Sequence, residues 1–252
     1  MQLAYRLQDT LTMTKRCLYY TLRNIDNLMT MAFLPVAIML LFVYVLGGAI
    51  QTGAENYVTY AVPGILLLTI GYGAGTTAVS INMDVKNGIV DRFRTMPIGR
   101  LTVLSGHVLA SVVKNAVSTL LVLAVAFVIG FRPSAGLLEW LGFAGIVLLY
   151  TLAITWLALA FGLLTKTPEG ASSFSFIVMF LPYCSSAFVP LATMPPVLRA
   201  FAQYQPITPI NESIRALLLG GSGDYLAAVL WCIGLIAIGV VASLALFTRR
   251  ES

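Results

Sequence analysis

Six long apolar runs constrain this chain more than any other feature of its sequence. A helix needs about 20 predominantly apolar residues to cross the hydrocarbon core of a bilayer. Six stretches have that length: residues 31–50, 58–81, 103–129, 137–164, 171–191 and 225–247. Only 10% of the 252 residues are charged, whereas soluble domains have about 25%. The sequence therefore predicts an all-α, polytopic membrane protein with six transmembrane helices.

The basic residues predict how the chain is oriented. If the N-terminus is inside, eleven of the fifteen Lys and Arg residues fall in inner segments. Only Arg132, Arg199 and Arg215 fall in outer segments, and Lys114 lies within the third run. Basic residues concentrate in cytoplasmic loops, so we expect both termini to be cytoplasmic in a multi-pass protein of the cell (inner or plasma) membrane. The basic residues form no continuous face, so we expect no nucleic-acid partner.

The first thirty residues are too polar to cross a membrane but have a helical apolar period. The apolar positions are Leu7, Leu11, Leu18, Leu22, Ile25 and Met29. Basic residues fall largely between them, which is typical of a helix lying in the membrane interface. A soluble tail is the alternative, and it would leave the apolar stripe in water. We therefore predict an interfacial helix over residues 1–30, followed by one six-span domain over residues 31–248.

Residues 192–223 predict two short helices on the outer side, before the last span. The second begins near Thr208, which can cap it, and ends at Gly220. Residues 209–219 would extend about 16 Å, roughly half the thickness of a bilayer core. We expect this segment to be re-entrant from outside, and an ordinary external loop is the alternative. The candidate residues of this re-entrant segment are Pro195, Pro196, Pro206, Pro209, Glu212 and Arg215.

Glu212 and Arg215 are three residues apart and therefore share a face of the second short helix. A local ion pair is favoured over a contact with substrate. Such a pair could also hold an outer gate.

The chain contains no recognisable catalytic motif. The segment GLLTKT at residues 162–167 lacks the glycine and the strand of a phosphate-binding loop, so we expect that the chain does not hydrolyse ATP itself. His107 is the only histidine, so no metal cluster is expected, and a structural role is favoured for it. Cys17, Cys184 and Cys232 show no ligand spacing and are interpreted as buried thiols.

Lys114 is the main charged residue within a predicted span. Gly130 lies sixteen positions further on, about 24 Å along a helix, so Lys114 is expected near the inner interface. Snorkelling to the headgroups is favoured, and lining an inner cavity is the alternative. The spans lack the several mid-membrane acidic groups that a proton or sodium relay needs, which argues against a secondary transporter. An ion-coupled carrier or channel is kept as an alternative function. Gly71, Gly73 and Gly75 predict a face for close helix packing.

The segment NGIVDRFRTMPIGR, residues 87–100, contains a cluster of charged residues between the second and third apolar runs. Ile89, Phe93 and Met96 share one helical face, and Arg92 and Arg94 point away from it. Pro97 is expected to end this helix. A helix of this kind can dock on another protein or lie on lipid, and periodicity alone leaves both open.

Two segments resemble one transporter family. GIVDRFRTMPIGR and the later SGHVLASVVKN are similar to the inner-loop signature of ATP-binding cassette (ABC) type-2 permeases. Within that family they most resemble permeases of the daunorubicin-resistance, multidrug-exporter type. Residues 185–220 resemble the segment that precedes the last span in the same family. The likeness covers nearly the whole chain.

The resemblance implies a permease that pairs with a second copy or with a sister permease, in contact with membrane lipid. A separate ABC ATPase subunit would bind ATP and Mg²⁺, and the chain itself would bind no cofactor. The coupling helix would lie within residues 84–100 and use Gly88, Ile89, Asp91, Arg92, Phe93, Arg94, Met96 and Pro97. The expected function is outward export of amphiphilic drugs, antibiotics or lipid-like molecules. Export of polysaccharide or lipid-linked glycan, or a membrane scaffold or sensor without transport, are the alternatives.

Overall fold

The structure, a computed structural model, describes residues 2–23, 25–47, 57–95 and 99–249. These ranges are helical or irregular and contain no strand, which confirms the predicted all-α class. The α-helices are α1 (Gln2–Arg23), α2 (Ile25–Leu40), α3 (Tyr57–Lys86), α4 (Ile89–Arg94), α5 (Arg100–Ile129), α6 (Leu137–Leu164), α7 (Pro168–Tyr183), α8 (Pro196–Tyr204), α9 (Ile207–Leu219) and α10 (Tyr225–Arg249).

Four helices in the described ranges are long and apolar enough to cross a membrane. They are α3, α5 from Leu101 onward, α6 and α10. These four correspond to the second, third, fourth and sixth predicted spans. α3 lies at the centre of the bundle and is buried along most of its length, between α5, α6 and α7.

The other two predicted spans have shorter helices. α2 continues into a π-helical turn at Leu41–Leu46, and residues 48–50 of the first predicted span lie outside the described ranges. α7 has 16 residues, about 24 Å of helix, which is shorter than a hydrocarbon core of about 30 Å. The fifth run was predicted to be helical up to residue 191, whereas the helix ends at Tyr183 because the chain turns at residues 184–188.

The N-terminal helix is shorter than predicted. α1 ends at Arg23, and the following residues belong to α2, which leads into the first apolar run. α1 packs on α5 through Met13 and Cys17, which are buried. In the predicted apolar stripe, Leu11 and Leu22 are exposed. These two leucines are thus turned away from the rest of the chain, whereas Leu18 of the same stripe is half-buried. The structure does not describe the side chains of Leu7, Ile25 and Met29.

One end of the bundle is defined by a small apolar cluster. Ile81 of α3, Leu104 of α5, Leu163 of α6 and Phe247 of α10 pack together there. Lys86, Lys166 and Arg249 follow shortly after these residues in sequence. We call this the basic end. The opposite end, where α3 and α6 begin, is called the far end.

Candidate functional site

The loop between α3 and α5 contains a short helix at the basic end. Gly88 precedes it with φ +68°, a left-handed conformation that glycine adopts without steric cost. α4 then runs from Ile89 to Arg94. Val90 is buried in the apolar cluster of the basic end, whereas Arg92 is exposed. α4 therefore packs against the bundle on one face and leaves the other free.

The predicted apolar face of α4 is only partly reproduced. Ile89 and Phe93 are half-buried, and Val90, which was not predicted, is the residue that faces inward. Asp91 and Arg94 lie in α4, and their side chains lie outside the description. Two further predicted residues, Met96 and Pro97, lie outside the described ranges, so the predicted helix end at proline stays a prediction.

A charged network joins α1 to the bundle beside α4. Arg16 donates two hydrogen bonds to the Asp84 carboxylate, at 2.7 and 2.9 Å. Nε2 of the buried His107 lies 3.2 Å from Asp84 Oδ2, and its Nδ1 lies 3.7 Å from the sulfur of Cys17. These contacts connect α1, α3 and α5 through one carboxylate. His107 thus has the structural environment that was favoured for it.

Arg16 also connects this network to α4. Its guanidinium lies over the Phe93 ring, 5.2 Å from the centroid, within the range of a cation–π interaction. Hydrogen bonds to Asp84 raise the pKa of Arg16 above its usual value, so the side chain keeps its charge. The half-buried ring of Phe93 therefore contacts α1 on one side.

A cavity of about 430 Å³ lies among α1, α3, α5 and α7. Lys114 lines it and donates a hydrogen bond to Thr76 Oγ1 at 3.3 Å. Of the two interpretations offered by the sequence, this contact favours cavity lining over snorkelling.

The glycines of GYGAG allow close packing of α3 against two neighbours. A Cβ at Gly71 would lie 2.7 Å from Val178 Cγ1 of α7. One at Gly73 would overlap the amide of Asn115 in α5, and one at Gly75 would overlap Ser175 of α7. The predicted small-residue face is confirmed, and it is divided between α5 and α7.

The segment between α7 and α10 contains the two predicted short helices. α8 has Pro195 at its N-cap and Pro196 in its first turn. α9 begins at Ile207 after Pro206, two residues earlier than predicted, and ends at Gly220 as predicted. Pro209 thus lies in the first turn of α9, where a backbone N–H would have no acceptor within the helix, so its absence in proline costs no hydrogen bond.

The predicted N-cap role of Thr208 is wrong, because Thr208 lies within α9. Its Oγ1 accepts a hydrogen bond from the Ser186 N–H at 3.4 Å. Thr208 therefore connects α9 to the chain that follows α7.

Arg215 connects α9 to the far end of the bundle through hydrogen bonds and a cation–π contact. Its guanidinium lies 3.8 Å from the centroid of the Tyr60 ring. It donates to the backbone carbonyls of Ser186, Tyr60 and Ala187 at 2.9–3.3 Å. Tyr60 also donates to the Ser186 carbonyl, at 2.9 Å. One side chain thus holds together α9, the start of α3 and the chain after α7.

The predicted ion pair between Glu212 and Arg215 is wrong. Within the described residues no carboxylate lies within 4.0 Å of the Arg215 guanidinium. Arg215 turns inward to the backbone carbonyls of Tyr60, Ser186 and Ala187. Glu212 remains half-buried without such a partner.

The fold and these sites define a polytopic, all-α membrane protein. The chain belongs to the ABC-2 type transporter family, which matches it over residues 8–219. The match confirms the family predicted from the basic loop and from residues 185–220. The match covers most of α1, the long apolar helices α3, α5 and α6, and the two short helices α8 and α9.

Similar proteins include several named permeases. The chain is 27% identical over 229 residues to daunorubicin resistance ABC transporter permease protein DrrB1 of Streptomyces coeruleorubidus, covering 90% of this chain and 81% of that protein. It is 24% identical over 249 residues to the probable doxorubicin resistance permease DrrC of Mycobacterium tuberculosis, covering 97% and 89%. The putative transport permease ycf38 of Porphyra purpurea is 27% identical over 200 residues, covering 76% and 67%.

Sequence reasoning missed the Arg16–Asp84–His107 network. The signal was present, because an acidic residue near the end of one apolar run faces a histidine near the start of the next. Two consecutive antiparallel helices bring such positions together. The position of Arg16 opposite them depends on how α1 packs on α5, which periodicity does not give.

Proposed function

We propose that this chain is the membrane-spanning subunit of an ATP-driven exporter, which moves amphiphilic substrates outward while a separate ATPase subunit hydrolyses ATP. Membership of the ABC-2 type transporter family supports the transport role. The names of similar permeases, which refer to daunorubicin and doxorubicin resistance, support drug-like substrates. The missing phosphate-binding motif supports a separate ATPase, with ATP and Mg²⁺ bound there. The permease would pair with a second copy or a sister permease.

The proposed topology has six spans, an interfacial helix α1 and both termini in the cytoplasm. The clustering of Lys86, Lys166 and Arg249 at the basic end supports that end as the cytoplasmic one. The exposed apolar residues of α1, such as Leu11 and Leu22, support contact with lipid at that interface. Reporter fusions after Ser252 and within residues 51–57 should report opposite sides. Matching sides would contradict this topology.

The observation that carries the proposed coupling role is the position of α4. It is a short helix at the basic end, packed inward through Val90 and exposed at Arg92. We propose that residues 84–100, and Gly88 to Pro97 in particular, bind the ATPase. The contact of Phe93 with Arg16 supports a role for α1 in bracing this helix.

Co-purification of the ABC ATPase with the permease tests this role. Arg92→Glu reverses an exposed charge on α4 for which the described residues show no side-chain partner, so it should reduce ATPase recovery at least about tenfold. Lys166→Glu, at an exposed lysine of the other basic-end loop, is the matched control. Unchanged recovery for Arg92→Glu and Phe93→Ala would remove the support for docking at α4.

We further propose that residues 192–223 enter the membrane from outside and form an outer gate. The inward position of α9 and the Arg215 contacts support this proposal. Cysteines at the half-buried Leu217 and Leu219 should react slowly with impermeant thiol reagents, and one at the exposed Ser222 should react fast. Leu218 is fully buried in the protein and is therefore uninformative. Equal labelling at the three informative positions would indicate an ordinary external loop.

A further inference from the structure

The cavity at Lys114 has one charged side chain and several hydroxyl groups in its wall. The wall includes Thr76 and Ser80 of α3, Lys114 of α5 and Ser175 of α7. None of the lining residues is acidic. Aromatic side chains from α1 and α7, Tyr20 and Phe176, complete the rim. The cavity is therefore positive at one point and otherwise neutral.

The ammonium group of Lys114 is only partly satisfied by the protein. An ammonium has three N–H donors, and one of them is accepted by Thr76 Oγ1. In the described part of the chain no carboxylate lies within 4.0 Å of it. Asp84, further along α3, is already bonded to Arg16 and His107. A cation away from bulk water is stabilised by an anionic partner, and the described residues supply none to Lys114.

Two hydroxyl groups in the wall of the same cavity are also available. Ser80 and Ser175 make no hydrogen bond within the described residues, whereas Thr76 donates to the Gly73 carbonyl at 2.7 Å. Hydroxyl and ammonium groups together can donate to the several oxygens of a phosphate or carboxylate. Charge-assisted hydrogen bonds of this kind are about twice as strong as neutral ones.

The rim of the cavity suits the apolar part of an amphiphile. Phe176 is 74% exposed, and Phe180, one turn further along α7, is also exposed. An apolar tail can lie along this surface while a polar head enters the cavity. Lys114 lies about 24 Å from the far end of α5, close to the inner boundary of a hydrocarbon core of about 30 Å. That is the depth of a lipid-like headgroup in the proposed topology.

We infer that the cavity at Lys114 binds amphiphiles with an anionic head, a phosphate or a carboxylate, as the substrate class of this exporter. This inference rests on the proposed function and narrows it. Daunorubicin, named for one similar permease, carries a protonated amine at neutral pH. Such a head would meet the like charge of Lys114, so an amine-bearing amphiphile is the poorer ligand.

The test is equilibrium binding to the purified permease–ATPase complex in detergent without ATP. The probes are fluorescent phosphatidylglycerol, which is anionic, fluorescent phosphatidylcholine, which is zwitterionic, and daunorubicin itself. The wild type should bind phosphatidylglycerol about tenfold tighter than phosphatidylcholine, as expected for one charge-assisted interaction. Lys114→Met should remove most of this preference, and Lys114→Arg should retain it.

Controls separate this effect from unfolding and from surface charge. Lys166→Met removes an exposed lysine outside the cavity and should leave the preference unchanged. Equal affinity of the wild type for the two lipids, or an undiminished preference in Lys114→Met, overturns the inference. Tighter binding of daunorubicin than of phosphatidylglycerol also overturns it. Displacement of the lipid by an equal concentration of inorganic phosphate would show a site for free anions and contradict the amphiphile class.

A separate measurement distinguishes failure of the inference from failure of the proposed function. ATP-dependent movement of the fluorescent lipids is followed in liposomes containing the complex. Anion-selective binding without movement supports the binding site at Lys114, but it contradicts both the exporter proposal and the assignment of the bound lipid as its substrate. Movement of both lipids at equal rates, with no effect of Lys114→Met, supports the exporter and contradicts the inference.

Discussion

The two ends of the bundle each use one arginine to join three parts of the chain, but with different partners. At the basic end, Arg16 is neutralised by the Asp84 carboxylate, which also contacts His107. At the far end, Arg215 is held by backbone carbonyls and the Tyr60 ring, without a carboxylate. Hydrogen bonds to Asp84 also raise the pKa of Arg16 above its usual value.

The far end also leaves more hydrogen-bonding capacity unused. In the described residues, the buried side-chain amide of Asn211, the Ser213 hydroxyl and Arg215 Nε have no partner. Unsatisfied buried polar groups cost free energy and require an explanation. A segment that exchanges partners between two states would leave groups unpaired in one of them. The comparison therefore associates the basic end with a fixed junction and α9 with the proposed outer gate.

Removal of the carboxylate at the basic end should have the largest effect. Asp84→Ala leaves Arg16 and the buried His107 without their shared partner, which should cost about 3–5 kcal/mol of stability. The measurement is the free energy of unfolding of the purified permease in mixed micelles with increasing SDS. Glu139→Ala, at an exposed carboxylate, is the control. If Asp84→Ala lost less stability than Arg215→Met, the far end rather than the basic end would contribute more to the free energy of unfolding.

Arg215→Met should have the second largest effect. It removes charge-assisted bonds to backbone carbonyls and the contact with Tyr60, together about 2–3 kcal/mol. Arg215→Lys should recover only part of the loss, because lysine lacks the planar fork of arginine. The same unfolding measurement checks both variants. Full recovery by lysine would mean that charge alone, rather than geometry, holds α9.

Much of this architecture could be predicted from the sequence. Length and hydropathy identified the runs that became α3, α5, α6 and α10, because each is apolar for more than 20 residues. Glycine and proline signals located the end of α9 at Gly220 and the start of α8 at Pro196. These features depend on local composition and backbone geometry.

The contacts made by charged side chains were harder to predict. Local spacing predicted that Arg215 pairs with Glu212, but tertiary packing gave it stronger partners on α3 and after α7. The helical face containing Phe93 was predicted, but its contact with Arg16 depends on the docking of α1. Partners of this kind are distant in sequence, and neither periodicity nor spacing encodes the distance between helices.

The contact of Arg16 with Phe93 should contribute a smaller amount. A double-mutant cycle with Arg16→Gln and Phe93→Leu isolates the free energy of this contact. The bonds from Arg16 to Asp84 are lost both in the Arg16→Gln variant and in the double variant, so their contribution cancels. The coupling free energy should be about 0.5–1 kcal/mol, typical of a partly exposed cation–π pair. Unfolding in mixed micelles gives the four free energies. A coupling of zero would mean that α1 and α4 are adjacent but energetically independent at the basic end.

Glu212→Gln should have the smallest effect and tests most directly whether the two ends differ. If the far end has no carboxylate partner for its arginine, removal of the Glu212 charge should change stability by less than about 0.5 kcal/mol. The coupling between Glu212→Gln and Arg215→Met should be equally small. Asp84→Asn provides the matched neutralisation at the basic end, where a large loss is expected. A coupling of Glu212 and Arg215 above about 1 kcal/mol would show that the two charges interact despite their separation, and the two ends would then share one mechanism.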